Sequence, residues 1–242
     1  MAATFGESYE PRCTHSATGR RAQEFVGANT TCTTFAVRVG GSMQRLSRTL
    51  IRLNLATRQY HTRADAGWLD LRRPSVVKQD YVEQLIKVYG FEAPLESALR
   101  YTPGVQPLVD LRARMRAGLI VQDLVRLGLG PGRIAALPQR FISFATAAEA
   151  LGWMYVVERA TLIHGSVRRY LMVRIPEASR ASSYLAAYDG VAAARWSNFG
   201  SALDAVAQSP DVENQVLRAA NQGFAALCAW LAVSQTYSAV GT

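Results

Sequence analysis

The chain has 242 residues, 49% of them hydrophobic and 19% charged, with a formal net charge of +9. That length and balance suit a globular chain with one sizeable core or two small ones, and no run of eighteen apolar residues is present to make a transmembrane helix. The arginines are scattered singly or in pairs, and no basic tract alternates with aromatic residues, which argues against a nucleic-acid groove.

Residues 1–42 are rich in Thr, Ser, Ala and Gly and carry little apolar periodicity. They lack the continuous apolar core of a secretory signal, and Glu7, Glu10 and Glu24 are unlike an acid-poor transit peptide. The segment is expected to be a disordered or loosely attached extension, with Met43 as a second candidate for the start of translation. A periodic helix follows. Leu46, Leu50, Leu53, Thr57, His61, Ala64 and Trp68 recur at steps of three or four, which places a histidine on a buried stripe. An imidazole there either hydrogen-bonds a core partner or binds a metal.

Ser75, after Pro74, is the expected N-cap of a second helix that carries Val76, Val77, Tyr81, Leu85 and Val88 and stops at Gly90. Pro94-Leu95-Glu96 starts a short helix that Pro103-Gly104 ends. Residues 107–128 read as a third helical region, broken by Gly128, Gly130, Pro131 and Gly132. Thr146 to Arg174 reads as one long helix with Gly165 as the place for a kink. Two more helices cover 191–208 and 211–234. Pro210 stops the first and Asp211 caps the second. No alternating strand pattern occurs in the body. The expected fold is all-α, a single domain over residues 43–236 with a short tail at 237–242.

The three cysteines, Cys13, Cys32 and Cys228, show no metal-ligand spacing and fit free thiols in a reducing cytoplasm. Cys228 lies between Leu227 and Ala229 and reads as core filler. Lys78 and Lys87 are the only lysines, so the positive charge is almost all arginine and suits an acidic partner.

The pattern Leu53-x-x-Ala56-Thr57-x-x-x-His61 resembles the first helix of the biliverdin-producing heme oxygenases. The run Tyr81 to Glu96 is similar to the bacterial subgroup found beside phytochrome genes. Leu151-Gly152-Trp153-Met154-Tyr155-Val156-Val157-Glu158 resembles the start of the family's distal helix, and Arg195-Trp196-x-x-Phe199-x-x-x-Leu203 a later helix at the heme edge. The likeness spans about 44–232, with four motifs in the family's order. It implies a heme oxygenase-like multi-helix fold, heme as ligand or substrate, and His61 as the axial iron ligand. It also implies an external electron donor, for which the positive surface suits an acidic ferredoxin or flavoprotein. Neither nucleic acid nor membrane is an expected partner. Arg168 and Arg195 are the candidates for the heme propionates, since a guanidinium matches a carboxylate with two parallel hydrogen bonds.

The distal helix departs from the family. Where the family keeps Gly-Ser-x-Leu-Gly-Gly, this chain has Arg159-Ala160-Thr161-Leu162-Ile163-His164. The family's glycines let the backbone approach the heme face. Ile163 puts a branched side chain in that space, Ala160 cannot anchor a water, and His164 is either a sixth iron ligand or an ordinary surface or core histidine. Arg159 either pairs with a propionate or faces solvent. Two functions follow from the resemblance. One is oxidative cleavage of heme to biliverdin, carbon monoxide and iron. The other is a non-catalytic heme-binding, bilin-binding or interaction protein on the same fold. A metal-carboxylate oxidase would need more histidines than His61 and His164 supply in the body.

Overall fold

The computed structural model describes residues 47–238 and a short antiparallel hairpin ahead of them, β1 (Ala36–Val39) paired with β2 (Ser42–Arg45). Most of the expected 1–42 extension, with Cys13 and Cys32, lies outside the described residues, as does the end of the expected tail. The rest is helical: α1 (Arg48–Asp70), α2 (Lys78–Tyr101), α3 (Ala117–Arg126), α4 (Pro131–Ala135), α5 (Ala147–Arg174), α6 (Ser183–Ala186), α7 (Ala192–Val206) and α8 (Pro210–Ser238). A 3-10 turn, Pro176–Ser179, joins α5 to α6. The all-α class expected from periodicity is the class observed, with the hairpin as an addition.

α1 begins where a polar side chain closes its first turn. Ser47 Oγ accepts from Leu50 N–H and donates to Asp204 of α7, which also accepts from Thr49 N–H. The stripe read from the sequence turns inward in part. Leu53, Thr57, Ala64 and Trp68 are buried, whereas His61 is only half-buried.

α2 differs from expectation at three points. It starts at Lys78 after Val77, not at a Ser75 cap. It also runs on through Gly90 and Pro94 as one helix instead of two. A proline inside a helix leaves the carbonyl four residues earlier without its donor. That carbonyl is Gly90 C=O, and Arg140 N–H from the segment after α4 fills it at 2.9 Å. The local sequence signalled a break, and a distant chain segment removed its cost.

The expected helix over 107–128 is half helix. Residues up to Arg116 form turns, and only Ala117–Arg126 is helical. Glu96 of α2 accepts from the N–H groups of both Arg116 and Ala117, which starts α3 there. Arg114 and Arg116 point inward, as described below.

α5 follows Thr146, whose hydroxyl accepts from Glu149 N–H, and continues unbroken through Gly165. Its first half is buried on every side, which marks the central helix of a bundle. Its closest neighbour is α8. At Gly152 the two backbones approach so nearly that a Cβ would meet Val216 C=O at 2.5 Å and Ala220 N at 2.9 Å. α8 opens on Ser209, whose hydroxyl and carbonyl accept from Val212 and Glu213 N–H. Pro210 is therefore its first residue, not the stop of α7, and Asp211 sits inside the helix rather than capping it.

The stretch Pro210–Val233 of α8 is long and apolar enough, by length and composition, to cross a membrane, a feature that counting apolar runs overlooked. It packs on α5 and α1 through Val216, Ala220, Phe224 and Cys228. Cys228 is buried there, as its sequence context suggests. Two apolar clusters fill the bundle. One centres on α1, α2, α5, α7 and α8. The other joins Trp68, Tyr81, Leu85, Ile120, Leu124, Val167, Leu171 and Tyr184.

Candidate functional site

The two helices that carry the singled-out residues face each other. α1 brings Thr57, His61, Asp65 and Trp68, one turn apart in succession. α5 brings Tyr155, Arg159, Ala160, Ile163 and His164. The space between them is the slot in which the resemblance places a heme.

His61 Nε2 lies 3.1 Å from Thr57 Oγ1, so the hydroxyl one turn back occupies that ring nitrogen. The ring leans on Phe224 of α8, with centroids 5.5 Å apart. Burial, reinforced by the Arg159 charge and opposed by Asp65, lowers its pKa and favours neutral imidazole. Neutral imidazole is the form that binds a metal.

Arg159 neither faces solvent nor waits for a ligand's carboxylate. Its Nη1 reaches across to Asp65 on α1 and bonds both carboxylate oxygens at 2.8 Å. Both side chains are largely covered, at 14% and 11% exposure. Asp65 follows His61 by one turn and is the carboxylate placed to orient that imidazole. Arg159 claims it instead. The sequence reading missed Asp65. The i, i+4 spacing from His61 was the available signal, whereas its partner lies 94 residues away.

Ala160 lines the small space beside this ion pair. Ile163 packs at the edge of the second apolar cluster. His164 is fully buried, its ring 5.2 Å from Trp68 and 4.9 Å from Tyr184. Burial and the Arg116 charge hold its pKa well below the ordinary value. Aromatic rings thus enclose it on two sides. A cavity of about 30 Å³ lies among α1, α2, α5 and α8 beside the Asp65–Arg159 pair, and His61 is not among its lining residues. In this arrangement the side chains that face each other across the slot are engaged with one another, Arg159 with Asp65 and Thr57 with the His61 ring.

Arg168 and Arg195, the candidate propionate partners, are engaged elsewhere. Arg168 bonds Ser182 Oγ and Asp189. Arg195 donates to Ala187 C=O and stacks over Tyr188 at 4.3 Å. Both hold the segment around α6.

Beneath the slot lies a buried polar cluster that the sequence reading did not find. Arg116 is 2% exposed, with Nη2 3.1 Å from Val157 C=O and 3.5 Å from Glu92. Tyr184 OH donates to Glu92 at 2.5 Å. Arg114 and Tyr188 OH both bond Glu158, each at 2.6 Å. The tyrosine rings lie over the Arg116 guanidinium, at 5.6 and 5.2 Å. Burial outweighs Arg116 and Tyr184 and pushes the Glu92 carboxyl up to about 7. Glu92 and Glu158 fall inside two of the family-like runs, but nothing in the sequence links them to the arginines and tyrosines, because the group comes from α2, the turn before α3, α5, α6 and the turn after it.

A heme oxygenase family model matches residues 133–232, which contain α5 to most of α8. A solved structure of a heme oxygenase from Neisseria meningitidis, in NO- and CO-bound forms, shares the fold with a TM-score of 0.60. It is 20% identical, and the superposition covers 77% of this chain and 91% of that one. Among curated proteins, none matches.

Proposed function

We propose that this chain, a member of the heme oxygenase family, is a non-catalytic one, a binding or interaction protein whose slot between α1 and α5 is closed by its own side chains. The observation that carries this reading is the bidentate Asp65–Arg159 pair across the slot. The charge that replaces the family's glycine is neutralised on the spot. Opening the slot would strand Asp65 and Arg159 in a largely covered site, and such stranded charges are costly.

A second reading keeps a heme or bilin contact at His61 without turnover. The half-buried, neutral imidazole supports it. In either reading the docking of an acidic ferredoxin or flavoprotein on the basic surface has no catalytic purpose.

Hemin titration followed by a chemical reductant tests both. Unmodified protein is expected to give no bilin absorbance, and biliverdin formation would overturn the non-catalytic reading. Arg159→Gly should take up hemin more readily than the parent, provided its helicity is retained. A ferric-imidazole spectrum in the parent that disappears in His61→Ala would establish the second reading over full closure.

A further inference from the structure

The turn at residues 71–77 sends the chain from α1 back along α2, and α8 packs on both helices. Two contacts fix the direction. Near the turn, Arg73 pairs with Asp80 at 2.6 Å. Farther along, the Gln84 carboxamide lies so close to the Gly67 backbone that a Cβ there would overlap Oε1. The helices therefore run antiparallel, and Arg63 on α1 stands level with Lys87 on α2.

Between α1, α2 and α8 opens a pocket of about 360 Å³. Small-molecule sites begin at roughly 300 Å³. The charges along it are ordered. At the end away from the turn stand Arg63 and Lys87, and neither side chain has an ion-pair or hydrogen-bond partner among the described residues. Toward the turn stands Asp70, whose carboxylate is likewise unpaired among the described residues, while Arg73 neutralises Asp80. Glu83 lies between and accepts from Gln79 at 3.2 Å. Cys228 and Leu231 of α8 form an uncharged wall. Burial raises the Cys228 pKa against the opposing Arg63 charge, so the thiol is neutral.

Gln84 sits midway and is the second observation. It is 5% exposed, yet its carboxamide makes no hydrogen bond among the described residues. A buried amide ordinarily has a partner, and one left without a partner is costly. Its outlet is the pocket that it lines.

We propose that this pocket is a binding site for a short zwitterionic peptide of about dipeptide size. Its carboxylate is held at Arg63 and Lys87, its peptide group on Gln84 and its ammonium toward Asp70 and Glu83. This goes beyond the reading of the α1–α5 slot. It stands whether or not the protein takes up hemin, since His61, Arg159 and His164 do not line the pocket.

The chemistry selects the class. A simple anion meets Arg63 and Lys87 but is repelled by Asp70 and Glu83, and a simple cation has the opposite difficulty. A zwitterion satisfies both ends. A peptide group offers the C=O and N–H that a carboxamide complements. From Arg63 to Asp70 the helix rises about 10 Å. An extended dipeptide spans about 7 Å, and the lining side chains cover the rest.

Titration of the full chain with L-alanyl-L-alanine, followed by calorimetry and amide chemical shifts, tests the site. Saturable binding should move the amides around Gly67, Gln84 and Cys228 and leave residues 197–203 of α7 in place. N-acetylation of the dipeptide removes the ammonium, and C-terminal amidation removes the carboxylate. Each should weaken binding by about tenfold or more. Lys87→Met should weaken the free dipeptide to a similar degree but change the amidated one little, because the charge that Lys87 meets is already gone. Gln84→Met keeps the length and removes the amide. It should weaken the dipeptide by about tenfold while the melting temperature holds or rises, because the amide has no partner in the fold to lose. A purely structural Gln84 would instead lose stability and keep affinity on this change, and that result overturns the proposal. No saturable binding below about 10 mM also overturns it. So do capped dipeptides that bind as well as the free one, a result that needs no variant to fold.

Discussion

At the scale of single residues, Glu158 and Arg114 show how the buried network is built. Glu158 is 1% exposed and binds a guanidinium and a phenol that are themselves covered. A buried pair adds little net stability over an apolar core, but removing one partner leaves the other charged and uncompensated. Glu158→Ala is expected to lose about 3–5 kcal/mol. In a domain of this size that lowers the midpoint of thermal unfolding by roughly 10 °C, which calorimetry would register. A change within about 1 °C would mean that Arg114 finds water or another acceptor. The presence of Arg159 in place of a glycine was legible, and so was the loss of space it causes. Its partner was not, because Asp65 lies on another helix and only the crossing of α1 and α5 brings the two together.

At the scale of elements, helices here start and continue through groups borrowed from elsewhere. α3 begins at Ala117 because Glu96 on α2 takes its first free N–H groups, in the role that a local capping side chain usually has. Glu96→Ala should cost about 1–2 kcal/mol, the usual worth of a lost cap. Exchange of the α3 amides should speed up while those of α5 hold. Equal loss of protection in both helices would mean that Glu96 supports the whole core rather than the α3 start. α2 offers the same lesson in reverse. Gly90 and Pro94 signalled two helices, yet the Arg140 N–H repairs the gap left by the proline.

At the scale of the molecule, two buried groups tie stability to pH in opposite directions. His164 is neutral when folded, with its pKa well below the ordinary 6.5. Its contribution is present above 6.5 and is lost as pH falls below it, because the unfolded chain takes up a proton that the folded chain refuses. Glu92 acts the other way, over the span from 4.5 to about 7. His164→Phe keeps a ring between Trp68 and Tyr184 and removes the titration. Its melting temperature is expected to fall less than the parent's between pH 6.5 and 5. Parallel curves for the two proteins would show that the acid sensitivity lies in other groups.

Periodicity in the sequence determined the helical class, the long α5 and the placing of α1 and α8, because a 3.6-residue repeat of apolar side chains is local information. The family likeness of the distal segment was legible for the same reason. So was the suspicion that a slot lined by Arg159, Ile163 and His164 differs from one lined by glycine. Tertiary structure alone decided what those residues do. It paired Arg159 with Asp65, enclosed His164 between rings, and turned Arg168 and Arg195 toward the segment around α6. It also gathered Glu92, Arg116, Glu158, Tyr184 and Tyr188 into one buried cluster. Such pairings form between residues tens of positions apart, and their strength depends on burial, which has no period along the chain and exists only once the helices are packed.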